Sequence, residues 1–312
     1  MDSKTFYVWI AWFIASLILC PLLPGIINKV KAFFAGRKGP RIMQTWYDIF
    51  KLLRKGTVYS TSSTWIFRIA PVGTLAACLM ALLFLPLGYA QSPLGFQGDA
   101  LLFLYLLGLG RMLTVLGALD TASSFEGMGA ARELQFSVIS EGTLLLLLAF
   151  LAIQSGSCEL SVMLCGRPCD FWGAAAPSMV LSAVALYVVL LTECCRVPVD
   201  DPETHLELTM IHEAMILDNS GPDLAFIHYG AGLKLWIFGA MFAALIIPAG
   251  ALSPWMGTLV MTGICFILAV AVGVTESMMA RYRFLKVPQM LMGGFCIEFG
   301  ALALLLLLGG SK

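Results

Sequence analysis

Apolar residues fall in eight long runs, roughly 5–27, 65–88, 100–119, 135–155, 174–193, 232–250, 256–277 and 288–309, separated by polar stretches. A helix needs about 20 mostly apolar residues to cross the hydrocarbon core, and each run is about that long. Lipid offers no partner to open backbone groups, so the runs are expected to be helical. The pattern predicts an all-α, polytopic membrane helix bundle of about eight transmembrane helices. It fills residues 1–312 as a single integral membrane domain. The first run extends from Phe6 to Leu23, longer than a typical signal-peptide core, and no small-x-small site follows it. It is expected to be a retained span.

Two connections exceed what a bundle needs, and long loops in compact proteins usually carry function or disorder. Residues 28–64 contain the turn Arg37-Lys38-Gly39-Pro40. After it Ile42, Trp46, Ile49, Phe50, Leu52 and Leu53 recur at helical spacing, with Asp48, Lys51, Arg54 and Lys55 on other faces. That spacing predicts an amphipathic helix at the membrane interface, for which a basic anchor to anionic membrane lipid is the plainest role. Residues 194–231 carry Asp200, Asp201, Glu203, Glu207, Glu213, Asp218 and Asp223 with three histidines. His212-Glu213 lacks the second His of HExxH and no other ligand spacing fits, so no metal is expected. A docking surface or a proton entry funnel explains the carboxylates better. Residues 120–134 are expected to be a loop. Its Gly127-x-Gly129, like Gly108-x-Gly110, follows no strand and is no dinucleotide motif; close helix packing or a helix break suits these small residues better.

Composition agrees. Hydrophobic residues make up 59% of the chain and charged residues 12%, half of what a water-facing shell carries. Soluble, disordered, nucleic-acid-binding and disulfide-rich classes are thereby excluded. The net charge is zero from 19 basic and 19 acidic groups, but their distribution is uneven. Fifteen of the 19 basic residues lie in or beside the connections after spans one, three, five and seven. Lys4, Arg167 and Lys312 lie opposite, and Arg111 lies inside span three. By the excess of Lys and Arg in cytoplasmic loops, both termini face outward and the long loops face the cytoplasm of a cell inner membrane. The outward stretch 156–173 holds Cys158, Cys165 and Cys169, which could form one disulfide in a periplasm. The other cysteines read as core residues, and cluster-binding spacing is missing.

Ionisable groups within spans are expensive and mark function by default. Arg111 lies deep in span three, Glu141 two turns into span four, and Glu298 near the middle of span eight. Glu193 and Glu276 end spans five and seven, where interfacial water could reach them. One arginine could compensate one carboxylate. A row of carboxylates with an arginine is what a proton path requires.

Five motifs then resemble the subunit 1 family of respiratory complex I and its relatives in membrane-bound [NiFe] hydrogenases. Arg37-Lys38-Gly39-Pro40 with Gln44, Asp48 and Lys51 is similar to the family's GP…Q…D..K segment. Asp120-Thr121 with Gly129-Ala130-x-Arg132-Glu133 resembles DTGSPF and GASRE of the hydrogenase branch. Arg132 and Glu141 match an arginine followed by an S-x-E type carboxylate. Glu193-x-x-Arg196-x-Pro198-x-Asp200-x-Pro202-Glu203 is similar to E-x-x-R-x-P-F-D-L-P-E, with Val199 for Phe and Asp201 for Leu. Glu276-Ser277-Met278-x-Ala280-Arg281 resembles ENSMAR. His205 stands where a second Glu is common, while Glu207-Leu208 is kept. The stretch 205–225 is similar to the corresponding membrane component of hydrogenase-4-type complexes. Glu298 has no counterpart in this resemblance.

The resemblance implies a chain without its own cofactor or metal that joins a peripheral arm to the membrane arm of an oxidoreductase such as hydrogenase-4 or formate hydrogenlyase. The partners implied are [NiFe]-hydrogenase-like large and small subunits, holding [NiFe] and iron–sulfur clusters, and antiporter-like membrane subunits. Arg37, Lys38, Arg41, Gln44, Asp48, Lys51, Arg196 and Arg281 are expected to dock the peripheral arm. Glu141, Glu193, Asp200, Glu203, Glu207, Arg111, Arg132, Glu133, Glu276 and Glu298 are candidates for a proton path. The alternative is a NADH-quinone oxidoreductase subunit lining a quinone site. A stand-alone ion-coupled transporter is the reading from another class, although the two halves show no repeat.

Overall fold

The computed structural model describes residues 3–86, 91–165, 176–200, 210–247 and 253–309. Glu203, Glu207, Arg167 and Cys169 lie outside them, so the expectations placed there are not addressed structurally. Helices α1 (Ser3–Leu19), α2 (Leu22–Phe34), α3 (Gln44–Leu53), α4 (Trp65–Phe84), α5 (Asp99–Asp120) and α6 (Ser124–Ser155) form the first half. They are followed by α7 (Leu160–Cys165), α8 (Ala176–Glu193), α9 (His212–Met215), α10 (Pro222–Ile246), α11 (Pro254–Met278) and α12 (Val287–Gly309). No strand occurs among the described residues. Among the described residues seven helices are long and apolar enough to cross a membrane, and the count is eight if the bent pair α1–α2 is one span.

The boundaries differ from the hydropathy reading in three places. The run at 5–27 is two helices meeting at 44°. Pro21, which cannot donate an amide to the preceding turn, stands at the break, and α2 continues well past residue 27. The break frees carbonyls at the end of α1, and two side chains take them. Tyr229 Oη donates to Leu17 O (2.9 Å) and Trp46 Nε1 donates to Ile18 O (3.2 Å). Second, most of the stretch 120–134 is helix, since α6 begins at Ser124. Gly129 there is a close-packing site: a Cβ would lie 2.9 Å from Ile211 O. Third, α10 begins at Pro222, with proline in the first turn where its missing N–H costs nothing. The acidic stretch is correspondingly shorter, and His228, Tyr229 and Lys234 belong to a long helix.

Helices α4 and α5 lie against each other along a seam of small residues. Gly73 meets Leu113, Gly117 meets Ala70, and Thr74 Oγ1 donates to Gly110 O (3.0 Å). Asp120, at the end of α5, accepts from the amides of Thr64 and Phe67 and from the Thr64 hydroxyl, capping α4. Helix α10 occupies the middle: 72% of its most apolar stretch is buried, against 22% for the segment of α12, which is therefore peripheral. Trp236 and Phe238 of α10 lie in the main core with Phe103 and Phe150. An all-round apolar helix suits that central place.

The Arg37–Pro40 turn folds α3 back beside α2. Lys29 Nζ donates to Lys38 O (2.6 Å), and Gly39 takes a positive φ of 63°. Gly25 admits the returning chain, because a Cβ there would meet Ile42 O at 2.1 Å. Gly25→Ala is therefore expected to cost about 1–3 kcal/mol by overpacking. A thermal melt of the detergent-solubilised protein checks this, and an unchanged midpoint would mean that the turn is free to move.

Candidate functional site

The polar interior gathers around Arg111 of α5. Its guanidinium is a fork of five donors, able to serve several carboxylates at once. Nη1 donates to Glu141 Oε1 at 2.6 Å, Nη2 donates to the carboxylate of Glu193, and Nε lies 3.5 Å from Glu133 Oε1. Lys234 Nζ of α10 lies 2.9 Å from Glu193 Oε2, and Ser140 Oγ donates to Glu193 Oε1 at 2.6 Å. Helices α5, α6, α8 and α10 thus each contribute a charged group. The expectation that one arginine compensates one carboxylate is corrected: Arg111 serves three. Glu193 is 4% exposed, packed among these partners and not open at the end of its helix. Glu141 differs from it, with a side chain 44% exposed on the flank of the bundle.

A cavity of about 80 Å³ adjoins this cluster. Arg111, Glu133, Glu193 and Lys234 line it, together with His212, Cys195, Thr74 and Leu107. It has room for a few hydrogen-bonded waters. Small-molecule sites usually measure roughly 300–1,000 Å³, well above this volume.

A second cluster closes the end of the bundle near the acidic stretch. Asp200 Oδ1 accepts from Arg281 Nη2 at 2.6 Å, while Oδ2 accepts from the amides of Ile211 (3.2 Å) and His212 (2.9 Å). Arg132 does not join Glu141. Its Nη1 donates to Met210 O at 3.0 Å and its guanidinium lies 5.0 Å from the centre of the Phe284 ring. A one-residue step along α6 from Glu133 turns Arg132 to a different face of the helix.

Glu276 and Glu298 stand apart from both groups. Glu276 of α11 lies 3.2 Å from Lys31 Nζ and 3.5 Å from Arg196 Nη1, joining α2 and the end of α8 to α11. It is only 8% exposed, held between these two cations at the end of its helix. Glu298 is fully buried and accepts from Ser182 Oγ at 3.0 Å.

Of the acidic stretch, Asp200 and Asp223 turn inward instead of forming an open docking face. Tyr59 Oη donates to Asp223 Oδ2 at 2.8 Å, and burial together with this bond pushes the phenol above its ordinary range. Glu126, which no motif singled out, is fully buried and accepts from the Thr121 hydroxyl and from Asp218 N. The basic turn stays open: Arg37, Lys38 and Arg41 are exposed, and Gln44 Nε2 donates to Asp48 Oδ1 at 2.9 Å. Among the described residues no group of three His, Cys, Asp or Glu could hold a metal ion. Cys158 is unbridged.

Lys234 is absent from the expected site residues because its place in the sequence groups it with the basic residues of the loop side. A signal is nonetheless present: a lysine between Leu233 and Leu235-Trp236 interrupts an apolar run, which is costly without a partner. Ser140 and His212 carry no such signal, since their roles depend on what the fold brings beside them.

Residues 7–308 match the family described as NADH dehydrogenase. Hydrogenase-4 component C of Escherichia coli is 33% identical over 290 residues, covering 90% of each chain. Formate hydrogenlyase subunit 4 of the same organism is 31% identical over 295 residues, covering 92% of this chain and 94% of the relative. NADH-ubiquinone oxidoreductase chain 1 of Arabidopsis thaliana is 30% identical over 205 residues, covering 61% of this chain and 62% of its own. Among solved structures, a chain of the membrane-bound sulfane sulfur reductase, an archaeal respiratory membrane complex, superposes with a TM-score of 0.78. The match covers 96% of this chain and 99% of that one at 18% identity, which speaks for the fold.

Proposed function

The chain belongs to the NADH dehydrogenase subunit 1 family, and from that premise we propose that it couples electron transfer in a docked peripheral arm to proton movement through the membrane, in a complex of the hydrogenase-4 or formate hydrogenlyase type. That it is a multi-span subunit of a respiratory-type oxidoreductase complex follows from its relatives. Similarity over some nine-tenths of both E. coli chains supports the hydrogenase branch, against about six-tenths for the Arabidopsis chain. The [NiFe] and iron–sulfur centres would reside in partner subunits, and antiporter-like membrane subunits would receive the proton signal.

The observation that carries this reading is the Arg111 cluster. It combines three carboxylates with two cations, Arg111 and Lys234, so among the described residues one carboxylate lacks a fixed counter-charge. Gaining or losing a proton there alters the balance of every member, because charges interact strongly at low dielectric. Glu193 sits innermost and Glu141 opens to the flank, with the Arg111 fork between them. A proton arriving on Glu193 weakens its hold on Arg111 and Lys234, and Arg111 then shifts its charge towards Glu141. The same coupling operates in reverse, since linkage between two sites is reciprocal. The Asp200 cluster, with Glu203 and Glu207 beyond it, would form the entry side. The Arg37–Arg41 turn would face the arm. Both long connections would be cytoplasmic and both termini outside, as the basic residues suggest.

Purification in mild detergent with identification of co-purifying subunits tests the branch. Nickel, iron and a hydrogenase-like large subunit are expected, and NADH-binding subunits would replace this reading with the quinone-reductase one. Glu141→Gln tests the path. It should leave assembly intact and lower coupled proton translocation about tenfold or more, in line with the loss of one positioned proton carrier. Unchanged coupling in a well-assembled complex would remove Glu141 from the route.

A further inference from the structure

The face of α3 turned away from the bundle carries a shallow, open groove lined by Tyr47, Phe50, Lys51 and Arg54. These residues are three and four positions apart and therefore share one side of the helix. Tyr47 is 58% and Phe50 54% exposed, and Lys51 and Arg54 are exposed without an ion pair among the described residues. Large exposed rings beside unpaired cations are unexplained by packing, because the inner side of α3 is already seated. Trp46 stacks on Phe50 with ring centres 5.4 Å apart, lies 6.1 Å from Tyr229 and bonds to Ile18 O, and Ile49 is buried. The proton path does not use this face.

We propose that this groove binds an anionic phospholipid. Arg54 and Lys51 hold the phosphate, the arginine by its planar fork and the lysine as a point charge. Tyr47 and Phe50 cover the glycerol end and the first carbons of an acyl chain. One groove offering charge and aromatic surface side by side is complementary to an amphiphile. Helix α3 packs its opposite side against α10 and α2, which leaves Tyr47 and Phe50 on its outward face beside the two cations. The surrounding charge agrees: residues 28–64 hold eight basic groups and one carboxylate, Asp48, which Gln44 occupies. Lys51 is thereby reassigned from the arm-docking set to the lipid, and Arg37, Lys38 and Arg41 of the turn stay free for a protein partner. This goes beyond the coupling reading and holds whichever electron donor the complex uses.

The test is native mass spectrometry of the complete detergent-extracted complex titrated with phosphatidylglycerol, phosphatidylcholine and inorganic phosphate. The natural complex should bind phosphatidylglycerol saturably and in preference to phosphatidylcholine, with no competition from phosphate. Lys51→Gln/Arg54→Gln should bind it roughly thirtyfold more weakly, from the loss of two cations near the membrane surface. Tyr47→Ser/Phe50→Ser should keep the charge preference and lose the preference for long over short chains. Equal lipid binding by the natural and Lys51→Gln/Arg54→Gln complexes would overturn the proposal, as would phosphate competing as well as lipid. Release of a peripheral subunit with lipid binding unchanged would make the face a protein contact instead. Should that variant fail to assemble, a photoactivatable phosphatidylglycerol on the natural complex decides the matter. Cross-links within residues 44–55 support the site, and cross-links only elsewhere refute it.

Discussion

Arg111→Leu is expected to lower the stability of the purified complex by about 3–5 kcal/mol, the cost of removing one partner from a buried charge pair. The size follows from the geometry. The Arg111 side chain is 5% exposed and reaches Glu133, Glu141 and Glu193, and Glu193 would keep only Lys234 and Ser140. Glu133 and Glu141 would keep no cation within ion-pair distance among the described residues. Proton translocation should fall below detection even in the fraction that assembles, because no charge would link Glu193 to Glu141. Arg111→Lys should restore much of the stability and little of the coupling, since an ammonium cannot bridge three carboxylates as a fork does. Thermal melts with proton uptake in vesicles read both quantities. A Leu variant that melts and pumps normally would end the role of this cluster.

How much of this was legible in the sequence depended on whether the property was local. The spans were legible because lipid selects for length and apolarity, which can be read without knowing any neighbour. Arg111, Glu141 and Glu298 were legible as anomalies for the same reason. What could not be read was pairing. Nothing local distinguishes Glu193, buried between two cations, from a carboxylate in interfacial water, and the same is true of Glu276. Arg132 and Glu133 are adjacent in sequence, yet one serves the Asp200 end and the other Arg111. The helix boundaries misled in a related way. Placing the start of α10 at residue 232 instead of Pro222 put Lys234 at a membrane edge, where a lysine needs no partner. The break at Pro21 was signalled by its proline, but the carbonyls it releases are satisfied by Trp46 and Tyr229, from distant parts of the chain.

Asp200→Ala is expected to release the peripheral subunits from the membrane and to impair coupling together. Asp200 is 1% exposed and, among the described residues, accepts from Arg281 on one oxygen and from the amides of Ile211 and His212 on the other. Removing it strands the amides of Ile211 and His212, at about 1–3 kcal/mol for each one left buried without a partner. The segments 210–215 and 281–287 should then open locally, seen as faster amide hydrogen exchange there while the core of α10 stays protected. The consequence should reach the cavity, because His212, fixed through its backbone by Asp200, lines the same space as Glu193 and Lys234. Asp200 thus connects the end of the bundle that would meet the arm with the cluster that would move the proton. In the double variant Asp200→Ala/Arg281→Ala the two effects should be less than additive, since both residues belong to one contact. Strict additivity, or an Asp200→Ala complex that keeps its peripheral subunits and its slow exchange at 210–215, would show that this end of the bundle is held by something other than Asp200.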